Sequence, residues 1–373
     1  MRVAFLPWSK SEKSCLYQEQ LAAGLADLDV EVDGAVTGRF LLPWVLKHRA
    51  DILHLHWLNQ FSAAKTEVRA VIKLASFIAE LFLVKILGVR IVFTAHNLKP
   101  HESTFPKIDL LCTALVCRLA HGTVAHGPTA KALLERTSHL KDRGKIVVIP
   151  YGNYMKASPN QISREDTRKQ LGLPDRSLVF LFLGAIRPYK GVIDLIESFG
   201  SLKVEGAHLL IAGWPLNEEI AEQVIAKCSV VENTHLYPRY VGYEEHQVFM
   251  NAADVVVFPY KDILTSGAAV LAMSFGKACV APRMGCIQDV LDEDGAFLYD
   301  PAESDGLYRA LQRAAAKSRC ELESMGTHNL LAAQEWSWEY VASRYLDLYR
   351  RCIDGRRATE RSETCGKGAL AKA

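Results

Sequence analysis

The sequence predicts an α/β protein in two halves, each a parallel sheet with flanking helices, facing each other across a cleft. Short apolar runs alternate with stretches of helical spacing from end to end, which is the pattern of parallel βα units. The pattern pauses once, at the polar and turn-rich residues 151–176, which read as linker and hinge. At 373 residues, 49% hydrophobic and 23% charged, the chain can also fill two cores.

Strands are expected in the first half at 2–6, 51–55, 90–94, 121–125 and 145–149, with helices near 15–28, 65–87, 107–119 and 128–136. The second half restarts at strands 178–183, 207–211, 234–237, 254–258, 278–281 and 296–298. It turns helical through 304–323 and 336–352, then ends in a polar tail that reads as frayed. The most lipid-like stretch, 70–87, carries Lys73, Glu80 and Lys85 and cannot span a bilayer. Its apolar positions Val71, Leu74, Ala75, Ile78, Leu81 and Phe82 fall at helical spacing and read as a core-packing face, ahead of a membrane-dipping one.

A net charge of +2 argues against nucleic acid as the main partner. Residues 1–150 hold 19 Lys/Arg against 13 Asp/Glu, so the first half is mildly basic, compatible with an anionic acceptor or a membrane surface. Nine scattered cysteines without a CxxC read as reduced thiols of a cytosolic protein. The opening Met-Arg-Val-Ala-Phe-Leu-Pro reads as a short strand, not a signal peptide.

The richest stretch is 179–191, an apolar strand ending in Gly184, then Arg187, Lys190 and Gly191, then a helical pattern. That order sets two cations at the carboxyl end of a parallel strand, where open α/β sheets bind ligands. Cations and free N–H groups together suit a diphosphate, although solvated cations on an ordinary loop would read similarly. A second strand–loop–helix unit at 254–282 opens its helix at Thr265-Ser266-Gly267, offering unpaired N–H groups to an anion. The first half supplies histidines instead. His54 and His56 share one side of a strand end; His96, Asn97, His101 and Glu102 follow another strand, and His126 ends a third. Glu102 or His96 could take a proton from a hydroxyl in a partly dry cleft. His54/His56 has metal-like spacing but no carboxylate companions, and Asp27-Leu-Asp and Asp292-Glu-Asp read as solvated turns. Neither metal nor cofactor is expected.

Together these residues resemble the two-domain glycosyltransferases called GT-B, over nearly the whole chain. That resemblance implies an α/β fold of two Rossmann-like domains with parallel sheets facing across a cleft. It implies an acceptor-side domain at 1–155, to which 336–352 crosses back, a nucleotide-sugar domain at 165–335, and a flexible tail at 354–373. Leu183-Gly-Ala-Ile-Arg-Pro-Tyr-Lys-Gly resembles the donor-diphosphate loop, so Arg187 and Lys190 are expected as phosphate ligands with Thr265, Ser266 and Gly267. Gly184, Gly213 and Tyr243 would line the nucleotide, and His54, His56, Asn97, His101 and His126 the acceptor side.

More narrowly, His-Asn-Leu-Lys-Pro-His-Glu with Ile-Arg-Pro-Tyr-Lys-Gly resembles bacterial exopolysaccharide enzymes. This implies a metal-independent hexosyltransferase, mannose favoured, with a nucleotide-diphosphate sugar as donor. It further implies a lipid-linked oligosaccharide acceptor, inversion at the anomeric carbon, and a peripheral place at the inner face of the plasma membrane. Two departures point to a divergent branch. Leu264 and Ala272 stand where the large retaining family has glutamates, and Ala185 where it has an arginine, with Arg187 shifted. A retaining GT-B transferase using a UDP-sugar, a non-catalytic sugar- or lipid-binding subunit, and a nucleotide-sugar epimerase are the alternative readings.

Overall fold

A computed structural model describes residues 1–8, 16–34, 41–140 and 144–355. The tail from 356 onward, Cys15 and Cys365 lie outside the described residues. Among the described residues, twelve strands form two six-stranded sheets. The first holds β1 (Arg2–Leu6), β2 (Glu31–Gly34), β3 (Ile52–Leu55), β4 (Arg90–Thr94), β5 (Gly122–Ala125) and β6 (Ile146–Val148), in the order β2-β1-β3-β4-β5-β6. The second holds β7 (Leu178–Leu183), β8 (Ala207–Ala212), β9 (Thr234–Tyr237), β10 (Val255–Val257), β11 (Ala278–Pro282) and β12 (Ala296–Tyr299), in the order β12-β11-β10-β7-β8-β9. Every pairing is parallel.

Central strands such as β7, apolar throughout, and β8, apolar but for His208, are buried because helices cover both faces. β2, Glu-Val-Asp-Gly, is the edge strand, half-exposed, and its polar residues explain why the apolar pattern does not announce it. The helix Leu41–His48 also follows no pattern read above. Residues 304–323, expected as one helix, divide into Gly306–Ala315 and Arg319–Gln334. Ser318 and Glu321 form a capping box that starts the second.

The stretch 151–176 is more than linker. It contains the helix Arg164–Leu171, capped by Ser163 and closed by Gly172 at φ 67°. Its Arg168 is buried, ion-paired to Asp254 at 2.8 Å, and donates to the carbonyls of Ala252, Pro174, Asp175 and Ser177. Charge alone disguised this as linker, since a buried guanidinium reads in sequence like a surface one.

The helix Glu67–Ile86 turns a different face inward from the one expected. Ala70, Leu74, Phe77, Leu81 and Val84 are its buried positions, whereas Val71, Ala75 and Phe82 are exposed. The helix carries two apolar stripes, and only one meets the sheet.

Two passages of chain cross between the sheets, and they are laced together. Asn153 N–H donates to the Trp336 carbonyl at 2.9 Å, Asn153 Nδ2 to the Ala333 carbonyl at 2.9 Å, and the Trp338 indole N–H to the Asn153 carbonyl at 2.7 Å. A Cβ at Gly152 would stand 2.4 Å from the Trp338 ring, so only glycine fits there. The helix Trp338–Asp354 then packs on the helix Leu16–Ala26, and its Val341, Tyr345, Leu348 and Tyr349 share a core with Val3, Phe5 and Ile52.

Replacing Arg168 by Met leaves Asp254 with Arg164, at 2.6 Å, as its ion-pair partner, and with the Val179 N–H, at 2.8 Å. We expect a loss of about 3 kcal/mol, at the low end for a broken buried pair, read as a lower urea midpoint by circular dichroism.

Candidate active site

At the carboxyl end of β7, Gly184 has φ +141° and faces Gly213, which follows β8 with φ +157°. A Cβ on Gly213 would lie 1.8 Å from the Gly184 carbonyl oxygen, so the two loops approach as closely as backbone permits. The chain then passes Arg187 into a single 3₁₀ turn, Pro188–Lys190, and reaches Gly191 at φ +66°, pressed against the Pro259 carbonyl. This tight course folds Lys190 back. Its Nζ lies 3.2 Å from where a Gly184 Cβ would be and 5.9 Å from the Tyr260 ring centroid. Burial, then the neighbouring Arg187, pulls the lysine pKa down to about 8.

The helix Gly267–Ser274 begins nearby. Ser266 caps it, its hydroxyl accepting from Ala269 N–H at 3.2 Å, and Thr265 Oγ1 points to Cys286 Sγ at 3.9 Å. Gly267 sits under two phenols, with room for no Cβ because the Tyr154 and Tyr151 hydroxyls would be 2.8 and 2.9 Å away. Leu264 and Ala272 are both buried.

The histidines divide into two groups. His54 is enclosed, with Nε2 bonded to Thr94 Oγ1 at 2.8 Å and Nδ1 to the Tyr349 hydroxyl at 2.7 Å. The Thr94 hydroxyl continues to Tyr345 at 2.9 Å, and Tyr345 to Tyr17 at 2.7 Å. With both ring nitrogens bonded internally, His54 ties the last helix to β3. His56 Nδ1 meets His96 Nε2 at 3.2 Å, and His96 stacks on Trp57 at 4.4 Å. His126 Nδ1 bonds the Ile149 carbonyl at 3.0 Å. Desolvation, then neighbouring imidazoles, holds His54, His56 and His96 well below the usual histidine pKa; burial brings His126 to about 4. All four are neutral at physiological pH, so His96 is a weak base in the free protein.

His101 and Glu102 instead reach the other sheet. His101 stacks on Tyr189 at 3.8 Å and meets Asp262 at 3.4 Å, while Glu102 pairs with Arg187 at 3.2 Å. They line a cavity of about 400 Å³ with His56, Asn97, Arg187 and Tyr189. The same cavity holds a carboxylate that sequence reading missed, Asp109, buried and bonded by the Ser62 and Ser103 hydroxyls. Its place in the first turn of the helix Pro106–Leu119 looks like ordinary helix-dipole chemistry, so no sequence signal marks it. On the other side of residues 184–189 lies a second cavity of about 320 Å³, lined by Gly184, Gly213, Gly267, Tyr243 and four residues not anticipated, Trp214, Tyr240, Tyr154 and His246.

Asp292, Asp294 and His328 bring three ligand atoms within 4.8 Å of one another, but at the amino end of β12, away from this cleft.

Fold and site together define a class: two facing parallel sheets with a cationic glycine turn between their cavities, and residues 163–326 matching the family described as glycosyl transferases group 1. The chain has the GT-B fold, and its second half resembles glycosyltransferases of that group. Among sequence relatives, it is 27% identical over 277 residues to the GDP-mannose:glycolipid 4-beta-D-mannosyltransferase of Xanthomonas campestris pv. campestris, covering 71% of this chain and 72% of that one. In structure it is similar to a sucrose-phosphate synthase from Thermosynechococcus elongatus, with a TM-score of 0.76 and 18% identity over 95% of this chain and all of that one. Anabaena HepE, solved in complex with UDP, superposes with a TM-score of 0.71 and 16% identity over 93% and 99%. The family match runs through both departures noted in the sequence, at Ala185/Arg187 and at Leu264/Ala272.

Because Lys190 loses its proton near pH 8 in the free protein, its charge is present below that value and absent above it. Affinity for an anion at this turn, probed with inorganic diphosphate, should therefore fall between pH 7.5 and about 9, and Lys190→Arg should flatten the profile, both measured by calorimetric titration.

Proposed function

We propose that the chain transfers a hexose, mannose favoured, from a nucleotide-diphosphate sugar to a lipid-linked oligosaccharide, with inversion and without a metal. The observation that carries this reading is the single cationic turn, residues 184–190, with a cavity on either side. Its Gly184 and Ala185 wall the aromatic pocket, while Arg187 and Tyr189 wall the pocket that holds the carboxylates. The resemblance to a GDP-mannose:glycolipid enzyme supports the sugar, the acceptor class and a role in exopolysaccharide assembly.

In this mechanism an acceptor hydroxyl oxygen attacks the anomeric carbon from the face opposite the diphosphate. The bond from that carbon to the diphosphate oxygen breaks, and its electron pair leaves with the nucleoside diphosphate. Arg187, Lys190 and the first N–H groups of the helix Gly267–Ser274 neutralise the growing charge. The acceptor proton passes to Glu102. In the substrate-free protein Glu102 is paired with Arg187; a bound diphosphate draws the guanidinium away and frees the carboxylate. Donor binding thus precedes competent acceptor binding.

The acceptor's lipid fits the unburied stripe of the helix Glu67–Ile86. Val68, Ile72 and Ile86 are each more than 60% exposed, beside Phe82 and Leu83 and flanked by Lys65, Arg69 and Lys73. Apolar side chains among lysines and arginines suit an anionic bilayer surface. Among the described residues no helix is long and apolar enough to cross a membrane, so the contact proposed is peripheral.

Glu102→Gln should lower kcat by about 10²–10⁴-fold while donor affinity holds or rises, because Arg187 no longer has to leave a carboxylate, and the product's anomeric configuration, read by NMR, should be opposite to the donor's. Retention would move the reading to a retaining transferase, and a UDP-selective thermal shift would change the sugar. Ile72→Glu with Ile86→Glu should reduce co-sedimentation with anionic vesicles while leaving turnover on a soluble acceptor analogue intact.

A further inference from the structure

The second sheet has an edge that the proposed reaction does not use. β7, β10 and β11 run from it toward the cleft, and Ser177, Asp254 and Lys277 stand just before them. A cavity of about 280 Å³ opens there, its charged walls Arg164, Asp254, Lys277, Arg319 and Glu323. It shares Arg164, Asp254 and Arg319 with a neighbouring cavity of about 670 Å³, which Arg176 and Lys317 also line. The backbone around Lys277 is closely held. A Cβ on Gly326, in the helix Arg319–Gln334, would stand 2.0 Å from the Gly276 carbonyl oxygen, and Asn329 Nδ2 donates to the Lys277 carbonyl at 2.8 Å.

Both carboxylates of the smaller cavity are already bonded. Asp254 accepts from Arg164 at 2.6 Å, from Arg168 at 2.8 Å and from the Val179 N–H at 2.8 Å, and Glu323 accepts from Arg319 Nε at 2.8 Å. The cations keep donors to spare. Lys277 Nζ gives one N–H to the Ala253 carbonyl at 3.1 Å, and its other two have no acceptor among the described residues. Arg164 Nε is buried without a partner, and the Arg319 Nη groups have none among the described residues. Burial, then the nearby Arg164, lowers the Lys277 pKa to about 8, so the ammonium is still charged at neutral pH. Positive charge and N–H groups thus outnumber their acceptors, and what completes such a wall is an anion with several oxygens.

We infer that this pocket binds a phosphate monoester, its phosphate held by Lys277, Arg164 and Arg319 and its organic part lying toward Arg176 in the larger cavity. That cavity mixes charges: Asp175 and Glu205 lie exposed on its wall, Lys317 is spent on Glu321 at 2.8 Å, and Arg176 has no carboxylate partner among the described residues. Such a wall suits a polyhydroxylated group, whose hydroxyls both donate and accept, better than a second phosphate. A hexose phosphate has both parts. The site lies at the opposite end of the strands from the diphosphate turn, and the inference does not depend on glycosyl transfer.

The full chain would be titrated calorimetrically at neutral pH with inorganic phosphate, sulfate and mannose 6-phosphate, with thermal melts to confirm folding. Every protein would carry Lys190→Ala, so that the cleft turn competes less for the anion. In that background mannose 6-phosphate should bind about tenfold more tightly than inorganic phosphate. Arg319→Gln, at an exposed position, should weaken both about tenfold, and Lys277→Met by at least as much. Arg176→Ala should remove most of the ester's advantage over phosphate. If mannose 6-phosphate binds wild type but not the Lys190→Ala chain, or binds neither, the pocket is not its site and the inference is overturned. Binding that Arg319→Gln leaves unchanged overturns it too, and decides the matter even where Lys277→Met fails to fold. Equal affinity for all three anions overturns the assignment of an ester and marks an unselective basic patch.

Discussion

Two lengths of chain run between the sheets, one leaving the first half at Gly152 and one returning at Trp336, and they are bonded to each other at Asn153. The arrangement of the cleft depends on this joint. Trp338 lies on Gly152 because no Cβ intervenes, and its indole is satisfied by the backbone it covers. Two passages fastened at one place leave the halves free to rotate about that place but poorly able to slide or separate. Of the two cavities on either side of residues 184–189, one adjoins this joint through Tyr151 and Tyr154, and the other lies toward Arg187, Tyr189 and Glu102.

The contacts that close the cleft are of unequal weight. Asp289 accepts from Thr129 N–H at 3.0 Å and from its hydroxyl at 2.8 Å, capping a helix of the other half where Gly127 leaves no room for a side chain. This satisfies an otherwise orphan helix donor. Lys99 toward Asp262 and Arg187 toward Glu102 are solvent-facing pairs of the kind that contribute little, and the mostly buried His101, its pKa lowered by burial, adds a 3.4 Å contact to Asp262. The cleft is therefore latched at its margin and weakly held at its centre, where ligand must enter. The centre is also where Arg187 must change partners, so the weakness lies where exchange requires it.

Much of this was legible in the sequence for a physical reason. Strands buried on both faces announce themselves as apolar runs, and β7, β8 and β11 were placed within a residue. Glycines flanking cations marked a turn because few other residues tolerate the backbone found at Gly184 and Gly191. What escaped notice was settled by tertiary contact. The edge strand β2 is too polar, Arg168 looks solvated until its carbonyl cage is seen, and the helix Glu67–Ile86 offers two apolar stripes between which sequence cannot choose. Asp109 and Lys277 carry no motif. One is identified by the hydroxyls that hold it and the other by the acceptors it lacks, and neither relation is written along the chain.

The returning helix has a consequence for biosynthesis. Tyr345, Leu348 and Tyr349, more than 300 residues beyond the first strand, complete a core around it, and the Tyr349 hydroxyl closes the bond to His54. On a ribosome residues 1–150 emerge first but cannot finish their own interior until residues 338–352 have been made. The second sheet, whose strands lie between 178 and 299, has emerged in full sooner. Domains usually complete in amino-to-carboxyl order; here the core around β1 is the later of the two to have all its parts.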